Sequence, residues 1–238
     1  YEAFLNGHRI GDEQFTPGLT SYRRTLQVQR FDVSHLLREG ENELIVVVSD
    51  GWFRGRTGAH RVPDSFGTEI AVIAALTIEN ADGEVSISTD GSWEYGVGEI
   101  VAADLMDGQT SDLRRRGSRE WFPVVLASDP LTADRSRLVW RMAPAVRARE
   151  EFPAVRVDRL PSGRQIVDFG QNLNGWVRLS ALGPRDNVVT LTHGEALDTD
   201  GDLTLEHLDI TIMTGLPKLP VGQIDRVISR GEPTDVFE

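Results

Sequence analysis

Cysteine is absent from all 238 residues. Its absence excludes a disulfide framework, a thiolate metal site and a cysteine nucleophile. Lysine is nearly absent as well: Lys218 is the only one, so positive charge rests almost wholly on arginine. Acidic residues outnumber basic ones 37 to 25, a formal net charge of −12. Such a chain repels a phosphate backbone, because nucleic-acid affinity comes mainly from Lys and Arg neutralising phosphates. Nucleic acid is therefore not an expected partner. No apolar run approaches the roughly 20 residues of a membrane-spanning helix, so no membrane partner is expected either.

Catalytic signatures are equally scarce. The five histidines (His8, His35, His60, His193, His207) contain no i, i+4 pair and no HExxH, which argues against a zinc site. The chain has no G-x-S-x-G elbow, no P-loop and no G-x-G-x-x-G. A glycosidase needs two carboxylates roughly 5–10 Å apart, yet among 37 acidic residues some pair can always be chosen, so the count carries no signal. Glu195 and Asp198 read as solvated residues flanking a hairpin. The string Asp198-Thr-Asp200-Gly-Asp202 raises calcium, but its Gly201 stands two positions earlier than an EF-hand loop requires, and a hairpin turn explains it better. No cofactor is expected, with calcium at that string the sole alternative.

What is present is a succession of short alternating runs. With 39% hydrophobic and 26% charged residues the chain is ordinarily globular, and its length suits one large or two ordinary domains. In YEAFLNGHRIGD, Asn6-Gly7 supplies the pair of positive φ angles that a type I′ hairpin turn demands. DVSHLLREGEN is the best helical turn, with Ser34 as N-cap and Gly40 as C-terminal stop. NELIVVVSD, a continuous apolar run, fits a strand buried on both faces. Two strands meet at Asp82-Gly83, a turn falls at Asp90-Gly91, and REWFPVV closes the first set near 120–126. Residues 127–141 show no strong strand and read as a linker. AVRVDRL, RQIVDFG, GWVRLSAL, NVVTLTHGEAL and IDRVIS form a second set. In VDFGQNLNGWVRL, Asn172, Asn174 and Gly175 permit positive φ before Trp176 enters a strand.

This spacing predicts an all-β chain: two tandem antiparallel β-sandwich, jelly-roll-like domains with at most short helical turns, the second incomplete. The expected division is 1–128, a linker at 129–141, and 142–238. A chain that opens on Tyr1 without an initiator Met or leader reads as a piece of something longer.

The stretch Ser49-Asp-Gly-Trp-Phe-Arg-Gly-Arg-Thr-Gly58 places two aromatics and two arginines among glycines. An indole covers the C–H face of a sugar and guanidinium forks grip hydroxyls, which makes Trp52, Arg54 and Arg56 the sugar-binding candidates, with Phe53 beside them. The same residues also suit a structural corner, where Trp52 plugs the end of a sandwich.

Tyr1 to Gly55, Asp90 to Arg114, and IVDFGQNLNGWVRLSALGPRDNVVTLTHGEALDTDGDLTLEHL resemble, in order, the N-terminal and following β-domains of bacterial α-L-rhamnosidases. The arginine bias fits a high-GC bacterial genome. The resemblance implies a parent that removes terminal α-L-rhamnose from glycosides with inversion. It places the acid–base pair in a downstream (α/α)₆ barrel, after Glu238, so no catalytic residue is expected here. The implied partners are that downstream catalytic domain and rhamnose-containing carbohydrate; DITIMTGLPKLPVGQIDR departs from the family pattern. The competing reading is a free-standing carbohydrate-binding β-sandwich protein, cytoplasmic or secreted.

Overall fold

Asn6 and Gly7 adopt φ angles of 55° and 81°, the left-handed pair that folds the chain back on itself. Leu5 thereby faces His8 and Phe4 faces Arg9, and Glu2–Leu5 pairs on its other side with Leu44–Val47. The computed structural model describes residues 1–58, 60–81, 83–118, 120–128, 134–208 and 222–238. Among these the chain is all-β, and its one α-helix, Gly51–Arg54, is a single turn. The chain divides into two compact units that interleave along the sequence. One holds 1–54, 64–98 and 117–147; the other holds 55–63, 99–116 and 148–238.

The first unit is assembled from small sheets. Beside the three-stranded one lie Glu13–Gln14 with Val146–Arg147, Ala75–Asn80 with Gly83–Ser88, and Glu94–Tyr95 with Phe122–Pro123, all antiparallel. Asp82, the expected turn residue between two of these strands, lies outside the described residues. Leu5, 1% exposed, and Tyr22, 4% exposed, are the buried hydrophobics among its described residues. The Tyr22 ring meets Phe66 edge-on at 4.8 Å and Phe53 at 5.7 Å, and Phe53 stacks on Phe66 at 6.2 Å. Three mutually packed rings contribute about 0.5–1.5 kcal/mol per pair beyond the area they bury.

The structure corrects four expectations. Leu44–Val47 is an edge strand rather than a central one, and Val47 and Val48 are 40% and 42% exposed. A continuous apolar run does not reveal how many neighbours a strand has. Ser34 does not cap the turn Ser34–Leu36. Asp32 does the bonding instead, its Oδ1 accepting from the Ser34 amide (2.9 Å) and hydroxyl (2.7 Å). Within 127–141, of which 129–133 lie outside the described residues, Leu138–Trp140 is a strand, paired in parallel with Leu26–Val28. Parallel partners far apart in sequence leave no local turn signal. Finally, in the 167–179 motif the positive φ falls at Gly170 (77°) rather than at the asparagines, and the strand begins at Leu179, after Trp176.

The second unit centres on a four-stranded sheet in the order Val188–Thr192, Ile224–Ile228, Gly108–Asp112, Ile100–Asp104. Its centre is parallel, with Thr110 opposite Arg226 and Asp112 opposite Ile228; the flanking pairs are antiparallel. Leu113, Leu182, Val227 and Phe237 form the core, with Val177, Leu179, Val189 and Leu191 against it. Each fully buried aliphatic side chain stabilises the unit by about 1.5–3 kcal/mol. Asp225 ties the sheet together laterally. Its Oδ1 accepts the Gln109 amide at 2.7 Å, and its Oδ2 lies 2.8 Å from His193 Nε2. Burial pushes this carboxyl up, but the bonds from His193 and Gln109 outweigh burial and hold it below the usual carboxylate range.

Candidate functional site

The opening motif folds because the Arg54 amide reaches back to the Asp50 carbonyl at 3.0 Å, closing the turn over Gly51–Arg54. Amides of Asp64 and Phe66 then donate to the carbonyls of Arg54 and Phe53, at 2.8 and 3.2 Å. Phe53 is spent on the aromatic trio. The Arg54 guanidinium lies between two carboxylates, 3.3 Å from Asp50 and 3.9 Å from Asp64. Arg56 belongs to the second unit, where its Nε lies 2.9 Å from Asp107, its amide donates to Asp104 and its Nη1 to the Arg61 carbonyl. Trp52 differs: it is half-buried, and among the described residues it has no hydrogen bond and no ring partner. Of the three sugar-contact candidates, both arginines are thus neutralised by their own units.

The acidic string near 200 is a hairpin. Asp198 Oδ1 accepts from the amides of Asp200 and Asp202, both at 2.9 Å, between the strands Ala196–Leu197 and Leu203–Thr204. The Asp202 carboxylate is held by Arg164. Among the described residues no three His, Asp or Glu side chains are arranged to hold a metal ion. Glu195 is exposed at the start of the same hairpin.

Farther along the second unit lies a cleft of about 300 Å³ that no local pattern announced. Leu113 and Phe237 back it from the core. On one wall Arg116 makes a two-pronged pair with Glu99, at 2.5 and 2.8 Å. On the floor Gln109 Nε2 donates to Ser111 Oγ at 2.9 Å, and Ser111 is 2% exposed. Glu238 closes the other side, gripped by Arg178 at 2.9 and 3.1 Å and by the Trp176 indole N–H at 3.3 Å. Arg178 also reaches Glu151 at 3.0 Å. The distinctive 167–179 string therefore delivers its Trp and Arg to the carboxylate of Glu238. Sequence reasoning singled out that string but missed Glu99, Gln109, Ser111, Arg116 and Glu238. Four of them come from the single stretch 99–116, folded by the hairpin of Ile100–Asp104 on Gly108–Asp112, and Glu238 joins them from more than a hundred positions away.

The family model for the α-L-rhamnosidase N-terminal domain matches residues 1–150, more than half of the chain. The chain belongs to the bacterial α-L-rhamnosidase family. The bacterial α-L-rhamnosidase concanavalin-like domain matches residues 158–237, in the expected order. An α-L-rhamnosidase of Streptomyces avermitilis is 36% identical over 218 residues, 87% of this chain and 21% of that protein. One from Formosa agariphila is 26% identical over 213 residues, 84% of this chain and 22% of the other. Two rhamnosidase crystal structures cover this chain completely. That of the Streptomyces avermitilis enzyme complexed with L-rhamnose gives a TM-score of 0.88 at 31% identity. That of the native Aspergillus terreus enzyme gives 0.89 at 27%. This chain covers 23% and 27% of those two chains. It spans about a fifth of the length of the curated rhamnosidases it matches.

Proposed function

We propose that this chain is the non-catalytic β-domain part of an α-L-rhamnosidase, whose whole polypeptide hydrolyses terminal α-L-rhamnose from glycosides with inversion. In this reading it packs against and supports a catalytic barrel, and Trp52 contacts sugar. One observation carries it: two rhamnosidase domain models match in sequence order, over a chain only about a fifth as long as the relatives. The local chemistry agrees. Arg54, Arg56, Asp198 and Asp202 are committed to turns and ion pairs, which leaves them poorly placed to shuttle protons.

Hydrolysis of an aryl α-L-rhamnoside tests this reading, with the complete polypeptide encoded by the gene compared against residues 1–238 alone. The complete polypeptide is expected to be active and the 238-residue chain inactive. A complete polypeptide inactive on rhamnosides refutes the parent activity. Turnover by the short chain, abolished by one carboxylate substitution, refutes the supporting role. A gene that stops at Glu238, with saturable rhamnose binding by its product, establishes the free-standing binding protein instead.

A further inference from the structure

We infer that Arg61, on the turn between Thr57 and Val62, is a binding site for one carboxylate group. The inference rests on side chains of the second unit and not on the rhamnosidase reading.

Four ionisable side chains are buried among the described residues: Glu13, Arg61, Arg137 and Asp235. Three of them are matched, Glu13 by Arg141, Arg137 by Asp134 and Asp235 by Arg230. Arg61, 9% exposed, is the exception. Among the described residues its side chain has no ion pair and no hydrogen bond, and its Nε is sealed from solvent without a partner. Arginine is almost never so buried unless paired, because an uncompensated interior charge is heavily penalised. The turn keeps the side chain there. Thr57 and Val62 exchange backbone bonds at 3.2 Å, and the Arg61 amide donates to the Gly58 carbonyl at 3.0 Å. The Arg61 carbonyl in turn accepts from Arg56 Nη1 at 3.3 Å, which fixes a left-handed residue with φ of 49°.

The carboxylates gathered by this loop are already spent. Asp104 Oδ2 accepts the Arg56 amide, and its Oδ1 accepts the amides of Met106 and Asp107 at 2.8 and 3.1 Å. Asp107 lies 2.9 Å from Arg56 Nε. The missing counter-charge therefore has to come from outside these residues. A planar carboxylate fits a guanidinium fork through a two-pronged bond and carries the one negative charge that Arg61 can neutralise. A phosphate fits less well, because its second charge needs another cation and Arg56 is committed to Asp107. The carboxylate can come from two sources: a free organic acid, or an Asp or Glu side chain of polypeptide outside residues 1–238.

Hydrogen exchange at residues 55–63, read by mass spectrometry, tests this on the 238-residue chain and on the complete polypeptide. The probe is sodium acetate, compared with sodium chloride at equal ionic strength. For one charge-assisted fork a dissociation constant of about 10 mM is expected, so about 100 mM acetate should slow exchange in the 238-residue chain about 10-fold. Chloride should slow it less than about 2-fold, inorganic phosphate should do no better than acetate, and Arg61→Met should abolish the acetate effect. The same acetate response in the complete polypeptide identifies a free acid as the occupant. A side-chain carboxylate is identified when that response vanishes there and Arg61→Met speeds exchange about 100-fold in the complete polypeptide but less than about 5-fold in the short chain. Equal exchange in acetate and chloride for the unsubstituted short chain overturns the inference, a result that requires no variant to fold. So does a stronger effect of phosphate. So does disruption of the short chain by Arg61→Met, since Arg61 would then have its partner already. None of these outcomes bears on rhamnoside turnover, so the function proposed above stands or falls separately.

Discussion

Replacing Gly108 by alanine should unhinge the central sheet of the second unit. Gly108 has φ = +96°, and a Cβ there would stand 2.7 Å from the Ile224 carbonyl carbon and 2.9 Å from its nitrogen, with the Ile224 oxygen nearer still. Real Cβ atoms essentially never approach so closely, and what stands in the way is backbone, which cannot rotate aside. The left-handed φ alone costs a side chain about 1 kcal/mol. To relieve the overlap, residues 107–109 must draw away from 224–225. That movement stretches the charge-assisted bond from the Gln109 amide to Asp225 (2.7 Å), worth about 1.5–3 kcal/mol, and the Ile224 amide to Asp107 carbonyl bond (3.2 Å), worth about 1. A loss of about 4 kcal/mol is expected. Gly163→Ala is the control in the same unit: φ is +88° but nothing lies within 4 Å, so only the backbone cost of about 1 kcal/mol applies. Urea unfolding followed by hydrogen exchange with mass-spectrometric readout resolves the two units separately. Gly108→Ala should lose protection across 108–112 and 224–228 at markedly lower urea than Gly163→Ala. Equal stabilities for the two variants, or retained protection in those strands, would refute the reasoning.

Four further outcomes are expected. Leu113→Ala, at a core position 1% exposed, should lower stability of the second unit by about 2–5 kcal/mol in the same exchange experiment. Phe53→Ala should destabilise the first unit by about 3 kcal/mol through loss of its packing against Tyr22 and Phe66, whereas Trp52→Ala should shift its thermal midpoint far less. Burial pushes the Tyr22 hydroxyl up to about 12. Its folded value exceeds the unfolded one, so this contribution is complete below about pH 10 and is lost as pH climbs towards 12. Tyrosinate absorbance against unfolding monitors this, and Tyr22→Phe should flatten that alkaline limb. Asp225 is shifted the opposite way. Its contribution is present above the ordinary carboxylate value near 3.9 and is lost as pH falls below it, so Asp225→Asn should flatten the acid limb of the second unit's pH–stability curve.

Local chemistry was legible in the sequence wherever a few adjacent residues decide the outcome. Asn6-Gly7 dictated its turn because two left-handed residues in succession suit little else. The Asp198–Asp202 hairpin followed from side chains that bond their own backbone. Strands at 156–159, 165–168, 188–192 and 224–228 stood out by alternation and β-branched content. What escaped was everything settled by distant partners. The parallel strand at Leu138–Trp140 has little pattern of its own and exists because Leu26–Val28 lies beside it. Leu44–Val47 was placed at a sheet's centre on its composition, although the number of neighbours is a property of topology. Of the sugar-contact candidates, residue type pointed to Arg54 and Arg56, but nothing local disclosed the aspartates at 64, 104 and 107 that neutralise them. The cleft is the extreme case: its walls come from segments separated by more than a hundred residues.

The parallel seam between Gly108–Asp112 and Ile224–Ile228 also sets a timetable for the nascent chain. Gln109 and its anchor Asp225 are 116 residues apart. A ribosome adding about 5–20 residues per second keeps the 100–112 hairpin waiting for about 6–23 s before its central neighbour has even been synthesised. Through that interval its inner edge is a row of unpaired amides and carbonyls open to any passing strand. Slowed elongation or a holdase chaperone in that window should therefore govern the yield of soluble product more than any substitution on the finished surface.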